Sequence, residues 1–365
     1  MSFCLILNSG SQTEKIALFK TDGQKPQSIY RNQAAIKSND DREKVIATLI
    51  EESPAAADQI TAVGHRIVHG GTKFQDTVMA DEKVLAELEE LNELAPLHNP
   101  PALAGVHASI KLFKEAKQFL VFDTAFHRTL DEAHYRYALP AKWNHHAIRK
   151  YGFHGISHQY CLQTVAGMLQ KEVAQVNLIS CHLGGGSSVC AIENGKSMDI
   201  SMGFTPLDGV IMSTRSGALD PAIIRYLSQK QKLSLEEMEQ ALNKESGMLG
   251  ISELSSDMQE ILAACQKGNE KAKLAHQMYC LSIAKEIAGM MANFKRLDAI
   301  AFTGGIGFHD AITRAAIFPE DNLFNIVLNQ NSETDNRIIS AAQSKYPIFA
   351  IKADEELMIA RECLK

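Results

Sequence analysis

A strand–turn–strand unit that occurs once in each half of the chain constrains the fold most strongly. The first unit is Phe3–Phe19, in which two apolar runs flank the polar, glycine-bearing turn Asn8–Ser11. The second unit is Val176–Ile192, whose turn is the glycine-rich segment His182–Ser188. Because strand-like runs also alternate with helical patterns, this repetition predicts an α/β protein with an internal duplication around a central cleft.

Apolar periodicity and end signals predict the main helices. Asp81–Leu94 starts at a capping aspartate, and Pro101–Phe113 starts at a proline suited to a first helical turn. A capping box at Ser234–Glu237 begins another helix. Glu270–Phe294 has the pattern of a long helix, and Glu355–Cys363 has the pattern of a last one.

The length of the chain, 365 residues, exceeds what one compact core usually holds, so two domains are expected. We place their boundary after Asp123, where the strand pattern Phe119–Phe122 passes into His127–Asp131. The first domain is then 1–126 together with 356–365, and the second is 127–355.

Composition limits the classes of function. The formal net charge is −6 and no lysine or arginine cluster stands out, which argues against a nucleic-acid partner. The seven cysteines are scattered and lack metal-ligand spacing, which indicates reduced thiols in a cytoplasmic protein. The N-terminal apolar run stops at Asn8 without a basic flank, so we interpret it as a strand and not as a signal peptide. No apolar run reaches membrane-spanning length.

Three glycine-bearing turns follow apolar strands, at Gly10, at Gly184–Gly186 and at Gly304–Gly307. Such turns allow backbone N–H groups to approach a phosphate closely. The spacing matches neither a Walker motif nor a Rossmann fingerprint, and any one turn is better explained as an ordinary loop. Three of them in one chain favour a phosphate-binding function.

Two arginines have the chemistry that a phosphate site needs. Arg66 lies inside a short apolar run in Gly64–Gly71, and Arg215 lies shortly before a helix start at Asp220. A guanidinium can bind two oxygens of a phosphate or carboxylate at once. Each arginine, taken alone, is still better explained as a surface residue or as part of a salt bridge.

Histidines and acids supply further candidates. His154 and His158 have the spacing of a helical metal-binding pair, but Gly155 disfavours a helix there and no third ligand follows. We therefore favour hydrogen-bond donation to an oxyanion over zinc. Asp123 ends a predicted strand, as ligand-crevice carboxylates do, whereas Glu355, taken alone, is better explained by the helix dipole.

Taken together, these segments resemble the acetate kinase family, within the superfamily of actin, sugar kinases and heat-shock ATPases. The resemblance is collinear from Ile6 to Ala360. It rests on eight segments: Asn8–Ser11, Gly64–Gly71, Ala95–Pro100, Val121–His127, Tyr151–His158, His182–Ser188, Ser201–Leu207 and Ser216–Asp220. The resemblance implies two duplicated ribonuclease-H-like domains, mixed sheets flanked by helices, around an inter-domain cleft. It also implies a homodimer formed through the second domain, which would hold the nucleotide site.

The activity implied by the resemblance is reversible phosphoryl transfer between ATP and acetate, giving acetyl phosphate and ADP, with Mg²⁺ or alternatively Mn²⁺. The catalytic residues implied are Asp123, Arg66, Arg215 and His154. The substrate-binding residues implied are Arg66, Val68, Leu97, Phe153 and Pro206, with His98 and His182 along the phosphate path. The metal residues implied are Asn8 and Glu355. The nucleotide and phosphate residues implied are Ser11, Thr13, Lys15, His182, Leu183, Gly184, Gly185, Gly186, Asp257, Met258, Gln259, Gly305, Ile306 and Gly307.

Three departures from the family pattern concern the nucleotide. Gly185 replaces an asparagine, Gln259 replaces an arginine, and Phe308-His309 replaces Glu-Asn. Another phosphate donor, such as a different nucleotide or pyrophosphate, is therefore an open alternative. A propionate or butyrate kinase is a second alternative, although Val68 favours acetate, because one methylene discriminates by only ~1–3 kcal/mol. A non-catalytic nucleotide-binding protein is a third, which the retained charged residues disfavour.

Overall fold

The computed structural model of the chain describes residues 2–23, 25–329 and 336–365, with the backbone alone for 144–146. The chain forms two compact units. Unit 1 comprises Met1–Arg128, Gly155–Tyr160 and Asp354–Lys365, and unit 2 comprises Thr129–His154 and Cys161–Ala353. The domain limits inferred from the sequence stay a prediction.

Unit 1 is built on a six-stranded mixed sheet. Its strands are β1 (Phe3–Ser9), β2 (Thr13–Lys20), β3 (Gln27–Ala35), β4 (Ile60–Ile67), β5 (Val78–Met79) and β6 (Lys117–Phe122). Their order is β3-β2-β1-β4-β6-β5. The first three strands form an antiparallel meander, β4 and β6 run parallel to β1, and β5 is an antiparallel edge.

Unit 2 repeats this sheet. Its strands are β7 (Leu178–Leu183), β8 (Ser187–Glu193), β9 (Lys196–Ile200), β10 (Ala299–Thr303), β11 (Arg337–Ile338) and β12 (Ile348–Ala350). Their order is β11-β12-β10-β7-β8-β9, with the same sequence of parallel and antiparallel pairings when it is read from β9. The predicted fold class, two similar domains of mixed sheets flanked by helices, is confirmed.

Helices flank both sheets. They are α1 (Arg42–Glu51), α2 (Glu82–Glu89), α3 (Asn99–Leu112), α4 (Glu132–Tyr135), α5 (Gly155–Met168), α6 (Ala222–Gln231), α7 (Leu235–Lys244), α8 (Gly247–Ser252), α9 (Met258–Gln266), α10 (Glu270–Met291), α11 (Gly304–His309), α12 (Ala311–Ile317) and α13 (Glu355–Cys363). Asp81 caps α2 by accepting from the N–H of Val84, and Ser234 and Glu237 form the predicted capping box of α7. Among the described residues, no helix has both the length and the apolarity needed to cross a bilayer.

Burial on both faces explains why the central strands are continuously apolar. The first five residues of β1 are all buried, since α3 packs against one face of this part of the sheet and α13 against the other. In unit 2 the corresponding support is α10, whose Tyr279, Ile283 and Ile287 are fully buried. Apolar packing therefore fixes the strand ends, where the polar residues lie. All seven cysteines are free thiols.

The prediction of a third glycine-rich turn after β10 was wrong, because Gly304–His309 forms the short helix α11. Tertiary contacts explain how a glycine-rich segment becomes helical. Arg314 donates from Nη1 to the carbonyls of Gly307 and Phe308, both at 2.8 Å, and so stabilises the end of the helix. Phe308 is buried, which anchors the helix on the unit 2 core.

Candidate active site

The first cluster of functional residues lies at one edge of the unit 1 sheet. Asn8 lies near the end of β1, Arg66 near the end of β4, and Asp123 directly after β6. These three strands are parallel neighbours, so their carboxyl ends meet at the same edge. Glu355, the first residue of α13, joins them. We call these four residues the Arg66 cluster.

The Arg66 guanidinium donates hydrogen bonds to the Asp123 carboxylate from two of its nitrogens. Its Nη2 lies 2.6 Å and its Nε 3.1 Å from the Asp123 Oδ2 atom. The Asp123 side chain is 1% exposed, whereas that of Arg66 is 21% exposed. A fork of this kind fixes the plane of the guanidinium, which leaves its remaining face available for a second anion.

The third nitrogen of Arg66 lies beside two side-chain oxygens. Nη1 is 3.5 Å from the Asn8 Oδ1 atom and 3.9 Å from the Glu355 Oε2 atom. The start of α13 is itself anchored, because Arg31 Nη2 bonds both carboxylate oxygens of the capping residue Asp354 at 2.7 Å. The position of Glu355 therefore follows from the anchored helix start.

The charges in this cluster are strongly coupled. Burial disfavours the charged form of Arg66, but Asp123 and Glu355 outweigh that effect, so the pKa of Arg66 is raised. Burial raises the pKa of Asp123, and the nearby Glu355 adds to this, whereas Arg66 opposes it. Removing Arg66 would therefore leave a carboxylate in a place that disfavours its charge.

The oxygen donors of the Arg66 cluster fit a magnesium ion. Mg²⁺ prefers hard oxygen ligands and usually keeps several waters, with one or two carboxylates and substrate phosphates completing its shell. Asn8 and Glu355 present one amide oxygen and one carboxylate around the same guanidinium nitrogen. Among the described residues, no group of three or more His, Cys, Asp or Glu could hold a metal ion by itself. This donor set suits a metal that shares its shell with water and substrate.

The chain around Asp123 is closely packed, and it needs a glycine at one point. The N–H of Asp123 donates to the Ile67 carbonyl, and the Asp123 carbonyl accepts from Gly155 at 2.9 Å. A Cβ at Gly155 would lie 2.2 Å from that carbonyl oxygen, so no larger residue fits there without displacement. The close approach of these two segments fixes the backbone that carries Asp123.

The second cluster lies in unit 2 and joins two histidines. The rings of His154 and His182 lie with centroids 4.3 Å apart. The Nδ1 atom of His154 is 2.9 Å from the Ser188 Oγ atom. His154 has a left-handed backbone (φ 58°) and lies directly before the start of α5. The expectation that Gly155 disfavours a helix was wrong, because α5 begins at Gly155; the buried His158 lies on this helix, whereas His154 precedes it.

Arg215 belongs to the same cluster. Its Nη1 donates to the Pro206 carbonyl at 3.1 Å, and a Cβ at Gly186 would lie 3.4 Å from Nη1 and 3.2 Å from the His154 ring. In the described part of unit 2, no carboxylate pairs with it as Asp123 pairs with Arg66. Burial lowers its pKa, but an arginine stays charged at neutral pH. A largely buried guanidinium of this kind suits an external anion. We call His154, His182 and Arg215 the His154 cluster.

The glycine segments of unit 2 lie side by side. β7 and β10 are parallel neighbours, with Thr303 opposite His182, so Gly184–Gly186 and the first residues of α11 share one end of the sheet. A Cβ at Gly304 (φ 77°) would lie 2.5 Å from the Leu183 carbonyl oxygen, so glycine is required there. Two glycine-bearing segments, Gly184–Gly186 and the start of α11, are thus adjacent within unit 2, and their contact with phosphate stays a prediction.

Other predicted residues are less closely tied to these clusters. Asp257 caps α9 by accepting from the N–H groups of Gln259 and Glu260, and Met258 is buried in the core. Their proposed nucleotide contacts stay a prediction. Of the residues predicted to bind the acyl group, Val68 is half-buried and Leu97 is 48% exposed in unit 1, whereas Phe153 is fully buried in unit 2.

Two buried contacts that support the turns were missed from the sequence. Glu14 pairs with Arg42 beneath the β1–β2 turn, and Tyr279 bonds Ser187 in the β7–β8 turn. Glu14 gave no clear signal, because it lies between the polar residues Thr13 and Lys15, before the apolar run of β2. Tyr279 likewise gave no signal, because it lies on the apolar face of a helix.

Two duplicated mixed sheets, each with an arginine and hydrogen-bonding groups near a glycine-bearing turn, define an α/β protein equipped to bind phosphate groups. The model of the acetokinase family matches residues 4–361. The chain belongs to the acetokinase family, and the resemblance inferred from the sequence is confirmed.

Relatives of this chain match over nearly their whole length. It is 41% identical over 347 residues to the acetate kinase of Acetivibrio thermocellus, covering 92% of this chain and 85% of that one. It is 39% identical to the acetate kinase of Bacillus cytotoxicus, covering 100% and 99%. Among solved structures, Porphyromonas gingivalis acetate kinase superposes with a TM-score of 0.90 at 34% identity, covering 100% and 99%. A Francisella tularensis propionate kinase superposes with a TM-score of 0.90 at 36% identity, with the same coverage.

Proposed function

We propose that this protein is an acetate kinase, which transfers the terminal phosphoryl group of ATP to acetate and also catalyses the reverse reaction. A carboxylate oxygen of acetate forms the new P–O bond, the bond to the ADP oxygen breaks, and the electron pair stays on ADP. Acetate is already ionised at neutral pH, so the nucleophile needs no general base. The enzyme must therefore contribute positioning and charge neutralisation.

The observation that carries this proposal is the fork between Arg66 and Asp123 at the carboxyl edge of the unit 1 sheet. Asp123 fixes the guanidinium through two nitrogens, so Arg66 does not have to be ordered when a phosphoryl group arrives. Because no proton has to be moved, we assign Asp123 the role of orienting Arg66 and not that of a base.

In unit 2 we assign the corresponding roles to the His154 cluster. Arg215 neutralises charge on the transferring phosphoryl oxygens, and His154 donates a hydrogen bond to one of them. The bond from His154 Nδ1 to the Ser188 Oγ atom supports this role, since it directs Nε2 away from Ser188. The turn Gly184–Gly186 and the start of α11 would contact the nucleotide phosphates through backbone N–H groups.

Asn8 and Glu355 would hold Mg²⁺, with Mn²⁺ as an alternative. The ion, when bound, would supply charge neutralisation at the phosphate oxygens. Asn8 and Glu355 would contact the ion directly or through water. Neither side chain lies closer than 3.5 Å to the Arg66 guanidinium. The turn residues Ser11, Thr13 and Lys15 would bind phosphate on the other side of the β1 end.

The identity of the acid is the finer part of the proposal. A half-buried valine at Val68 favours a small acyl group, with Leu97, Phe153 and Pro206 as the other pocket residues. The similarity to a propionate kinase keeps propionate as a second candidate. Because a single methylene is worth only ~1–3 kcal/mol, we expect acetate to be preferred and propionate to be used slowly.

A substrate and donor panel on the purified protein tests the proposal. Acetate, propionate and butyrate are each offered with ATP, GTP or pyrophosphate, and the acyl phosphate is trapped as its hydroxamate. Arg66→Ala and Arg215→Ala should each lower turnover by about 10³-fold or more. Arg136→Ala is the matched control, because that arginine is 46% exposed and its guanidinium bonds only Glu132 among the described residues. Wild-type turnover in both cluster variants would refute the site, and an inactive wild type across the panel would refute the function.

Two further properties belong to the proposal. We propose a homodimer formed through unit 2, because α10 exposes the apolar residues Leu274, Met278 and Leu281 at helical spacing. Sedimentation or light scattering tests this state. We also propose a cytoplasmic location, in keeping with seven free cysteines, of which six are buried.

A further inference from the structure

A completely buried ion pair lies beneath the β1–β2 turn of unit 1. The Arg42 Nη1 atom is 2.6 Å from the Glu14 Oε2 atom, and both side chains are 0% exposed. The other carboxylate oxygen of Glu14 accepts from the Ser9 hydroxyl at 2.7 Å. Arg42 Nη2 donates to the Gly10 carbonyl at 3.0 Å. These contacts link the two sides of the turn to its tip, and we call them the Arg42 clamp.

The hairpin places this clamp directly behind the proposed phosphate residues. Ser9 pairs with Glu14 and Asn8 pairs with Lys15 across β1 and β2. Successive side chains of a strand point to opposite faces, so Glu14 points inward while Thr13 and Lys15 point outward. Burial follows this alternation, since Glu14 is buried, Thr13 is half-buried and Lys15 is exposed. The inner face of the turn therefore carries the Arg42 clamp, and the outer face carries Thr13 and Lys15, which are proposed to bind phosphate.

The tip of the turn has backbone donors to offer. The Gly10 N–H donates to the Thr13 carbonyl, which closes the turn. Within the described chain, the N–H groups of Ser11 and Gln12 donate to no protein acceptor. Arg42 polarises the peptide group between Gly10 and Ser11, because it bonds the carbonyl of that group. The Ser11 N–H is thereby made a stronger donor to an anion.

Stability alone does not account for the clamp. A buried ion pair is weak evidence of stabilisation, because desolvation offsets the attraction. Arg42 is also the first residue of α1, where the helix dipole disfavours a cation, and its Nε atom has no hydrogen-bond partner among the described residues. Burial raises the pKa of Glu14 despite its bonds to Ser9 and Arg42. Two apolar side chains would fill the same space at lower cost.

We propose that Arg42 is a positioning residue for phosphate binding by the β1–β2 turn. This inference rests on the proposed function, because it assigns a phosphate of the acyl phosphate or nucleotide to the outer face of that turn. Arg42 does not touch the ligand. It holds the Gly10 carbonyl and, through Glu14 and Ser9, the register of the two strands.

The test replaces the ion pair with an apolar pair, Glu14→Leu/Arg42→Met, which keeps the volume and removes the bond to Gly10. We expect a folded protein whose kcat/KM for ATP and for acetyl phosphate falls about 100-fold, as expected for a displacement of ~1 Å. The KM for acetate, which carries no phosphate, should stay within about two-fold of wild type. This split distinguishes positioning from a general loss of structure.

Two further variants complete the design. Arg42→Lys keeps the charge but lacks the fork that bonds Glu14 and Gly10 together, so it should recover only part of the loss. Lys171→Met is the matched control, because it breaks a 2.7 Å pair with Asp298, whose side chain is 8% exposed, in unit 2. It should lower the melting temperature and leave the kinetic constants unchanged.

The outcomes separate this inference from the proposed function. A folded double variant with wild-type kcat/KM for both phosphorylated substrates overturns the role of Arg42. If the double variant does not fold, wild-type kinetics in Arg42→Lys overturn it. If the wild type lacks acyl kinase activity, the proposed function fails, and calorimetric titration of ATP into the wild type and Arg42→Lys decides the positioning role separately. Equal affinities in that titration would overturn it.

Discussion

Replacing Arg66 with alanine should separate its structural contribution from its catalytic one. Arg66 is the counter-ion of Asp123, whose side chain is 1% exposed. Breaking a buried ion pair by removing one partner typically costs about 3–5 kcal/mol. Because the Arg66 side chain is 21% exposed, water can enter the vacated space. We therefore expect the lower end, about 3 kcal/mol, in Arg66→Ala.

The pH dependence of this loss has a definite sign. Without Arg66, the folded-state pKa of Asp123 rises further above its unfolded value, because burial and Glu355 already raise it. The folded variant then holds a proton that the unfolded chain has released, so its unfolding free energy falls as pH rises through that interval. The stability gap between wild type and Arg66→Ala should be largest at neutral pH and should narrow as the solution is acidified.

Activity should respond differently from stability. We expect kcat to fall about 10³-fold, which corresponds to ~4 kcal/mol of transition-state stabilisation. The double variant Arg66→Ala/Asp123→Asn removes the unpaired charge, so it should regain most of the thermal stability and none of the activity. The measurements are melting curves from pH 4.5 to pH 8 and turnover in the hydroxamate assay. A double variant no more stable than Arg66→Ala would refute the reasoning about the buried carboxylate.

Two further predictions concern buried polar contacts. Tyr279→Phe removes the 3.0 Å bond to the Ser187 hydroxyl and should raise the KM for ATP about ten-fold without altering the KM for acetate; equal changes in both constants would contradict it. His65, which lies 2.8 Å from Gln118, has its pKa lowered by burial to about 4 from 6.5. Since the unfolded chain binds the proton first, stability should fall by roughly 3 kcal/mol as pH drops from 6.5 to 4. His65→Gln should flatten that slope in denaturation series, and an unchanged slope would contradict the assignment.

Local rules were sufficient for much of the fold. The caps at Asp81 and Ser234 and the bounds of α13 were predicted because a capping side chain and the backbone N–H group that donates to it lie within four residues. Both hairpins were predicted because apolar runs flank a polar turn. β3 was missed, since it is a sheet edge with no buried residue and therefore no apolar run. β3 therefore lacked the apolar run from which the other strands were predicted.

The chemical groups of the site could be named from the sequence, but their partners could not. Arg66 and Asp123 are 57 residues apart, and only the parallel pairing of β4 with β6 makes them a fork. The helical form of Gly304–His309 likewise depends on Arg314, whose side chain is buried against its last carbonyls. Long-range contacts of this kind follow from the folded sheet order, which single-sequence periodicity does not specify.

The duplicated sheets show that equivalent turns need not be held by equivalent chemistry. β1 and β2 correspond to β7 and β8 in strand order, and each pair is joined by a glycine-bearing turn. In unit 2 the turn is held by a neutral hydrogen bond between the Tyr279 and Ser187 hydroxyls, which costs little to bury. In unit 1 it is held by Arg42 and Glu14, which cost much more to bury. If rigidity of the turn were the only requirement, a neutral hydrogen bond would serve in both units. The buried ion pair of unit 1 therefore requires an electrostatic explanation. Polarisation of the Gly10–Ser11 peptide by Arg42 supplies that reason, and Tyr279 has no equivalent effect because its hydroxyl bonds a side chain.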